Sequence, residues 1–204
     1  MRETRYVPLR TRLGIANVRD MDLTGKILIA MPGMQDPRFE HSVVYMCAHS
    51  DDGAMGLIIN KPTDNLRFAD LLEQLDITKG TGRDICVHFG GPVEHGRGFV
   101  LHSLDYVSDV PSTLKVDETF GLTATLNILS DMTRGNGPDR AILALGYAGW
   151  GPGQLETEIL ENGWLTCDSD PELVFSVDDH GKWESALRKM GIDPILLSSS
   201  AGHA

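Results

Sequence analysis

The densest group of residues able to do chemistry is Gly146–Gln154, where Gly146, Gly149, Gly151 and Gly153 lead from an apolar run into a helical one. Pro152 suits a first helical position, and the free N–H groups of such a junction favour an anion. No Lys followed by Ser or Thr stands there, as a phosphate loop requires. Glu156 and Glu158 already complement the dipole of the helix that follows. The segment therefore reads as a tight turn whose glycines let Tyr147 and Trp150 pack. A second glycine-rich run, Gly90–Gly98, pairs the close backbone approach allowed at Gly90 and Gly91 with the guanidinium fork of Arg97, which fits a carboxylate or a phosphate.

His88, His95 and His102 are evenly spaced around that run and raise the question of a metal. If 88 and 102 pair across a hairpin, His95 sits near its tip, up to ~23 Å of extended chain away. Two histidines alone make an incomplete site, so these read as polar residues on strands. Alternation places Cys47 and His49 on one face. That thiol becomes a nucleophile only if His41 or His49 lowers its pKa, and its apolar surroundings make it core. Lys61, in the strand-end sequence Asn60–Pro62, is the lysine best placed to meet a ligand. There is no G-x-S-x-G, H-E-x-x-H, EF-hand or dinucleotide fingerprint, and no complete catalytic set emerges.

The elements that must position these residues are short. Lys26–Met31 reads as a buried strand closed by Pro32 and Gly33, and Ser42–His49 and Ala54–Asn60 as a hairpin around Ser50–Gly53. Leu66, Leu71, Leu72 and Leu75 have helical spacing, as do Leu122, Leu126, Leu129 and Met132, whose helix ends at Gly135. Ile85–Phe89 and Gly98–His102 bracket the Gly90–Arg97 loop as a second hairpin. Ala141–Leu145 reads as a strand, residues 155–160 as a helix stopped by Gly163, and Trp164–Cys167 as a strand. Lys182–Met190 forms a helix with basic residues in its last turn and Gly191 beyond it. Strands and helices mix without the rhythm of a doubly wound sheet, which points to one α+β domain.

At 204 residues the chain is long enough for one substantial core. No apolar run approaches the ~20 residues of a membrane span, and the charged N-terminus does not resemble a secretory signal. Three cysteines without a C-x-x-C suit a reduced, cytoplasmic setting. Net charge is −11 and uneven: residues 1–20 carry five arginines against two acids, leaving the remaining 184 residues at −14. Phosphate neutralisation supplies most non-specific DNA affinity, so direct duplex binding is not expected of the body. A basic N-terminal extension over 1–21, poorly ordered in solution, and a single domain over 22–204 are the expected organisation.

Three long motifs resemble the AlgH/YqgE family. They are Gly25–Pro32 with Asp36, Pro37, Ser42–Tyr45 and Gly56–Pro62; Gly90–Val93 with Arg97–His102; and Ala144–Glu156 with Glu158, Ile159, Trp164 and Leu165. Lys182, Trp183 and the C-terminal Leu197–Ala204 continue the likeness, which spans about residues 22–204; the arginine-bearing extension departs from it. The resemblance implies a bacterial cytoplasmic protein of α+β fold, with a mixed, split β-sheet and a small β-barrel core surrounded by helices. Family members carry a provisional label of transcriptional regulator, and the family offers no agreed catalytic residue or cofactor.

Two functional classes follow, with a third behind them. The leading one is a non-enzymatic regulatory module that binds a small molecule or a protein partner, its site lined by Asn60, Lys61, Gly91, Arg97, His102, Tyr147, Trp150 and Gln154 if the motifs converge. The alternative is a hydrolase-like enzyme on a phosphorylated or nucleotide-like molecule, with Lys61 and Arg97 holding the anion and His102 as acid or base. A DNA-binding repressor acting through the basic arm comes third. No cofactor and no metal ligand set are implied.

Overall fold

In the computed structural model, which describes residues 22–34, 36–106 and 113–197, the sheet is organised around its central strand. The first five-residue strand, β1 (Lys26–Ala30), pairs antiparallel with β2 (Val43–Ser50), and β2 turns through Asp51 and Asp52 into β3 (Gly53–Ile58). Helix α1 (Phe68–Gln74) precedes the short β4 (Val87–Phe89) and the long β5 (Val93–Ser103). Then come β6 (Thr113–Lys115), β7 (Phe120–Thr123), α2 (Leu126–Arg134) and β8 (Ala141–Trp150). The chain finishes with α3 (Gln154–Leu160), β9 (Trp164–Asp168), α4 (Pro171–Val174) and α5 (Lys182–Lys189).

The order across the sheet is β6-β7-β5-β8-β3-β2-β1-β9, with β4 laid parallel on β8. Strand β8 joins two halves. Its first residues pair with β5 and β4 (Leu143 opposite both Val100 and Val87), and its last three pair with β3 (Gly56 opposite Ala148). Between the halves stands Gly146 at φ +70°, where a Cβ would come within 2.5 Å of the Gly91 carbonyl. Only glycine allows both that dihedral and that approach. The fold is a single α+β domain whose mixed sheet curls into a half-barrel with five helices.

Both faces of the central strands are covered, which explains their unbroken apolar sequence. Alternation sends Ile27, Ile29, Val43, Tyr45, Leu57 and Ile59 into a core roofed by α4 and α5. Leu28, Val44, Met46 and Ile58 enter a second core under α3 with Trp150 and Trp164. On the other half of the sheet, Val87, Val100 and Leu143 face Phe68 and Leu72 of α1 and Ile128, Leu129 and Met132 of α2. Cys47 is 1% exposed, and burial pushes its thiol up to about 12, so it is inert core. No helix among the described residues is long and apolar enough to cross a membrane.

Three expectations change. Ile85–Phe89 and Gly98–His102 do not pair with each other: β8 runs between them, with β4 on one side and β5 on the other. His88 and His102 therefore do not face each other. Leu122 belongs to β7, opposite Leu101, and the helix begins only at Leu126; Phe120–Thr123 is buried throughout, which an edge-facing helix turn would not be. The segment 146–150 is strand rather than turn, and only residues 151–153 turn the chain into α3. The extension expected at 1–21 lies outside the described residues.

Candidate functional site

Beyond β3 the chain leaves the sheet through Asn60–Thr63 and runs beside β4. Phe89 N donates to Lys61 O (2.8 Å), Thr63 N to Val87 O (2.8 Å), and Pro62 bridges His88. Alternation on β4 turns Val87 toward α1 and α2 and His88 to the opposite face, where it meets the start of α5. There Lys182, 1% exposed, donates through Nζ to Ile59 O (2.7 Å) and to Asp179 Oδ1 (2.8 Å). A buried ammonium is tolerated because it satisfies a strand-end carbonyl and a carboxylate together. Burial still lowers the Lys182 pKa, with Asp179 pulling it back. Burial pushes Asp179 up, but its contacts with His88 and Lys182 outweigh that and hold the carboxyl below the usual range.

His88 is the unusual member. It is 4% exposed, and its Nε2 lies 3.1 Å from Asp179 Oδ1. That distance admits an electrostatic attraction, but the geometry makes no hydrogen bond: neither ring nitrogen has a hydrogen-bond partner. Cys86, two residues earlier, completes the group. Donor atoms from Cys86, His88 and Asp179 all lie within 4.8 Å of one another. The Cys86 thiol is raised by burial and then by the negative charge of Asp179, against a smaller opposing effect of Lys182.

These side chains form one wall of a cleft of about 390 Å³ between β4, the first residues of β8 and the α4–α5 segment. Its other walls are already tied down. Arg83 donates to the carbonyls of Pro138 (2.7 Å) and Asp139, and Arg140 pairs with Glu172 (2.7 Å). The cleft is lined by a thiol, an imidazole without a hydrogen bond, a carboxylate and an ammonium.

The eight residues expected to line a site are distributed over the molecule. Asn60 accepts from Val43 N (2.8 Å) and donates to His41 O (2.9 Å), and Lys61 donates to Arg38 O (2.8 Å). Both line a second cleft, of about 530 Å³, with His41, His180, Trp183 and Glu184. The two clefts meet α5 at adjacent residues, the first at Lys182 and the second at Trp183. Gly91 has φ +151° and packs on the Tyr147 backbone, while the Tyr147 ring meets Phe99 edge-on. Arg97 pairs with Glu94 (3.1 Å) and covers the Phe99 ring from an exposed position.

His102 is fully buried. Its Nδ1–H donates to Ser103 O (2.8 Å) and its Nε2 meets Thr123 Oγ1 (2.9 Å). Trp150 Nε1 and Gln154 Nε2 both donate to Glu158, at 2.9 Å each. The cleft beside His88 is lined by none of the eight, and the second cleft by Asn60 and Lys61.

Sequence reasoning passed over Cys86, Asp179 and Lys182. Cys86 and His88 carry a readable signal, since i and i+2 on an extended segment share a face. Asp179 and Lys182 carry none, because only tertiary packing brings α5 to the end of β4.

The chain matches the model of a family described as AlgH-like over residues 27–195. It is 63% identical over 185 residues to a UPF0301 protein of Cereibacter sphaeroides, covering 90% of this chain and all of that one. It is 62% identical over 186 residues to a UPF0301 protein of Ruegeria pomeroyi, again covering 90% of this chain and 100% of the relative. Among solved structures it is similar to the solution structure of AlgH from Pseudomonas aeruginosa, with TM-score 0.74 and 39% identity over 91% of this chain and 97% of that one. A protein from Corynebacterium diphtheriae shares the fold, with TM-score 0.62 at 20% identity over 81% of this chain and 85% of that one.

Proposed function

The chain belongs to the AlgH-like family, and on that footing we propose that it is a regulatory binding module without catalysis of its own, which takes a small molecule in the cleft beside His88. The observation that carries this reading is His88 itself, buried with neither ring nitrogen in a hydrogen bond. Leaving a buried polar group unsatisfied costs about 1–3 kcal/mol, and a bound ion or ligand is one occupant that relieves that cost. The cleft's volume suits a small ligand. Of the eight residues expected from sequence, Lys61 lies in the segment hydrogen-bonded to β4, through its carbonyl to Phe89 N.

A second reading has one observation in its favour: Cys86, His88 and Asp179 have the composition of a thiol, a base and an orienting acid. Against it stands the thiol's own environment. A nucleophilic cysteine needs a lowered pKa, and burial together with Asp179 raises this one. The enzyme alternative on a phosphorylated molecule with His102 as acid or base meets a similar difficulty, since His102 is enclosed and bonded at both nitrogens.

The test is a thermal-melt screen of the full chain against nucleotides, sugar phosphates, amino acids and divalent metals. A ligand present at 100 times its Kd adds about 2.7 kcal/mol, a shift of several degrees for a domain this size. The expected result is a shift that His88→Ala removes and that occurs without turnover. A shift that survives His88→Ala but disappears in Lys61→Ala would move the site to the neighbouring cleft.

A further inference from the structure

Three donor types meet at the wall of the cleft: a thiol sulfur from Cys86, an imidazole nitrogen from His88 and a carboxylate oxygen from Asp179, with all three atoms within 4.8 Å of one another. A divalent ion of the zinc class binds such donors at about 2.3 Å for sulfur and 2.0–2.2 Å for nitrogen and oxygen. In a tetrahedron those bond lengths set donor–donor edges of roughly 3.3–3.7 Å, so donor shifts of about 1 Å separate the set from an ion's geometry. Resting on the reading of this cleft as a ligand site, we infer that Cys86, His88 and Asp179 bind a thiophilic divalent cation, leaving the fourth position open to the cleft.

Two independent features point to this occupant. The first is His88, whose ring nitrogens have no hydrogen-bond partner although the residue is 4% exposed; coordination would satisfy it. The second is the division of labour on Asp179. Its Oδ1 takes both the Lys182 ammonium, at 2.8 Å, and the approach of His88 Nε2, at 3.1 Å, while Oδ2 accepts no hydrogen bond among the described residues. Lys182 thereby fixes the carboxylate as an outer partner does in metal sites.

The donor set chooses among ions. Thiolate and imidazole suit zinc, cobalt or ferrous iron, while magnesium and calcium need oxygen cages. Charge agrees. Asp179, Asp64 and Asp84 act on Cys86 as negative charges against the single ammonium of Lys182, which is itself held by Asp179 and Ile59 O, and the cationic Arg83 and Arg140 are engaged elsewhere. On binding, the Cys86 S–H bond breaks, the S–metal bond forms and one proton leaves to solvent, so affinity rises with pH. With three protein ligands and one open position, the ion would offer the cleft's small molecule a Lewis-acid anchor.

The experiment is a titration of the full-length, reduced, metal-free protein with Co²⁺, followed by absorbance. The expected result is saturation at one ion per chain, with tetrahedral ligand-field bands and a thiolate-to-cobalt charge-transfer band, all abolished by an equivalent of Zn²⁺. Cys86→Ser should remove the charge-transfer band, Cys167→Ser should leave it intact, and His88→Ala should weaken binding at least about tenfold. Far-UV circular dichroism confirms that each variant is folded.

Failure to bind Co²⁺, or a charge-transfer band unchanged in Cys86→Ser, overturns the cation site. If that happens while an organic ligand still shifts the melt in a His88-dependent way, the cleft remains a ligand site and only its metal is lost. If no ligand of either kind depends on His88, both readings fall.

Discussion

Glu158 of α3 receives three side-chain donors, two of them from buried indoles, and removing it should cost several kcal/mol at most and well above about 1 kcal/mol. Its Oε2 accepts from the indole N–H groups of Trp150 (2.9 Å) and Trp164 (2.8 Å), and its Oε1 from Gln154 (2.9 Å). The two indoles meet edge-to-face at 5.9 Å and are 7% and 2% exposed. Each carries one donor and no alternative partner within its own ring. Glu158→Ala leaves both N–H groups unsatisfied at about 1–3 kcal/mol each. Partial access of water to a half-buried site trims the sum to about 3 kcal/mol. For a domain near 200 residues that is roughly 6–12 °C of Tm, taking about 2–4 °C per kcal/mol. Glu158→Gln keeps one acceptor oxygen and should lose about 1 kcal/mol. Urea unfolding followed by far-UV circular dichroism measures both, since the indoles are themselves perturbed. A loss below about 1 kcal/mol for Glu158→Ala, or full additivity with Trp164→Phe in a double-mutant cycle, would refute the shared-acceptor argument.

Three further outcomes follow from the same physical reasoning. His88→Leu, measured by urea unfolding in the presence of a chelator, should leave the protein as stable or up to about 2 kcal/mol more stable, because it replaces an unpartnered buried imidazole with an apolar group of similar size. Gly91→Ala puts a Cβ 2.1 Å from the Tyr147 carbonyl carbon at φ +151° and should destabilise by about 3 kcal/mol or more by the same assay. Burial lowers the His102 pKa from its ordinary 6.5, so the unfolded chain takes up the proton first as pH falls. Stability from this group is therefore complete above pH 6.5 and declines below it until the folded imidazole also titrates; unfolding at successive pH values should show a slope that His102→Gln reduces.

What could be read from sequence was local. The apolar runs of β1 and β2, the Asp51–Gly53 turn between β2 and β3, and Gly135 closing α2 at φ +80° are fixed by residues within a few positions of one another. Pairing of β4 was not legible, because β8 arrives from residue 141 onward and inserts between two segments that otherwise look like a hairpin. Gly146, whose φ of +70° lets β8 serve both halves, looks like a turn residue in sequence, since a glycine looks the same in either role. Leu122 continued the spacing of Leu126, Leu129 and Met132 by coincidence of period, and its burial on β7 came from the partner strand. At the cleft, Cys86 and His88 share a face for a reason visible in the sequence. Asp179 and Lys182 reach them only through the packing of α5 against the strand ends, a contact with no periodicity to betray it.

The most direct test of the binding-module account is residue-resolved. Amide chemical-shift mapping of the full chain against the ligand panel, with Zn²⁺ included, should move Val87–Phe89 and Asp179–Lys182 together and leave α2 and β9 still. Shifts that gather instead around Arg97 and α2, or that leave the His88 wall unmoved by every ligand that binds, would contradict it.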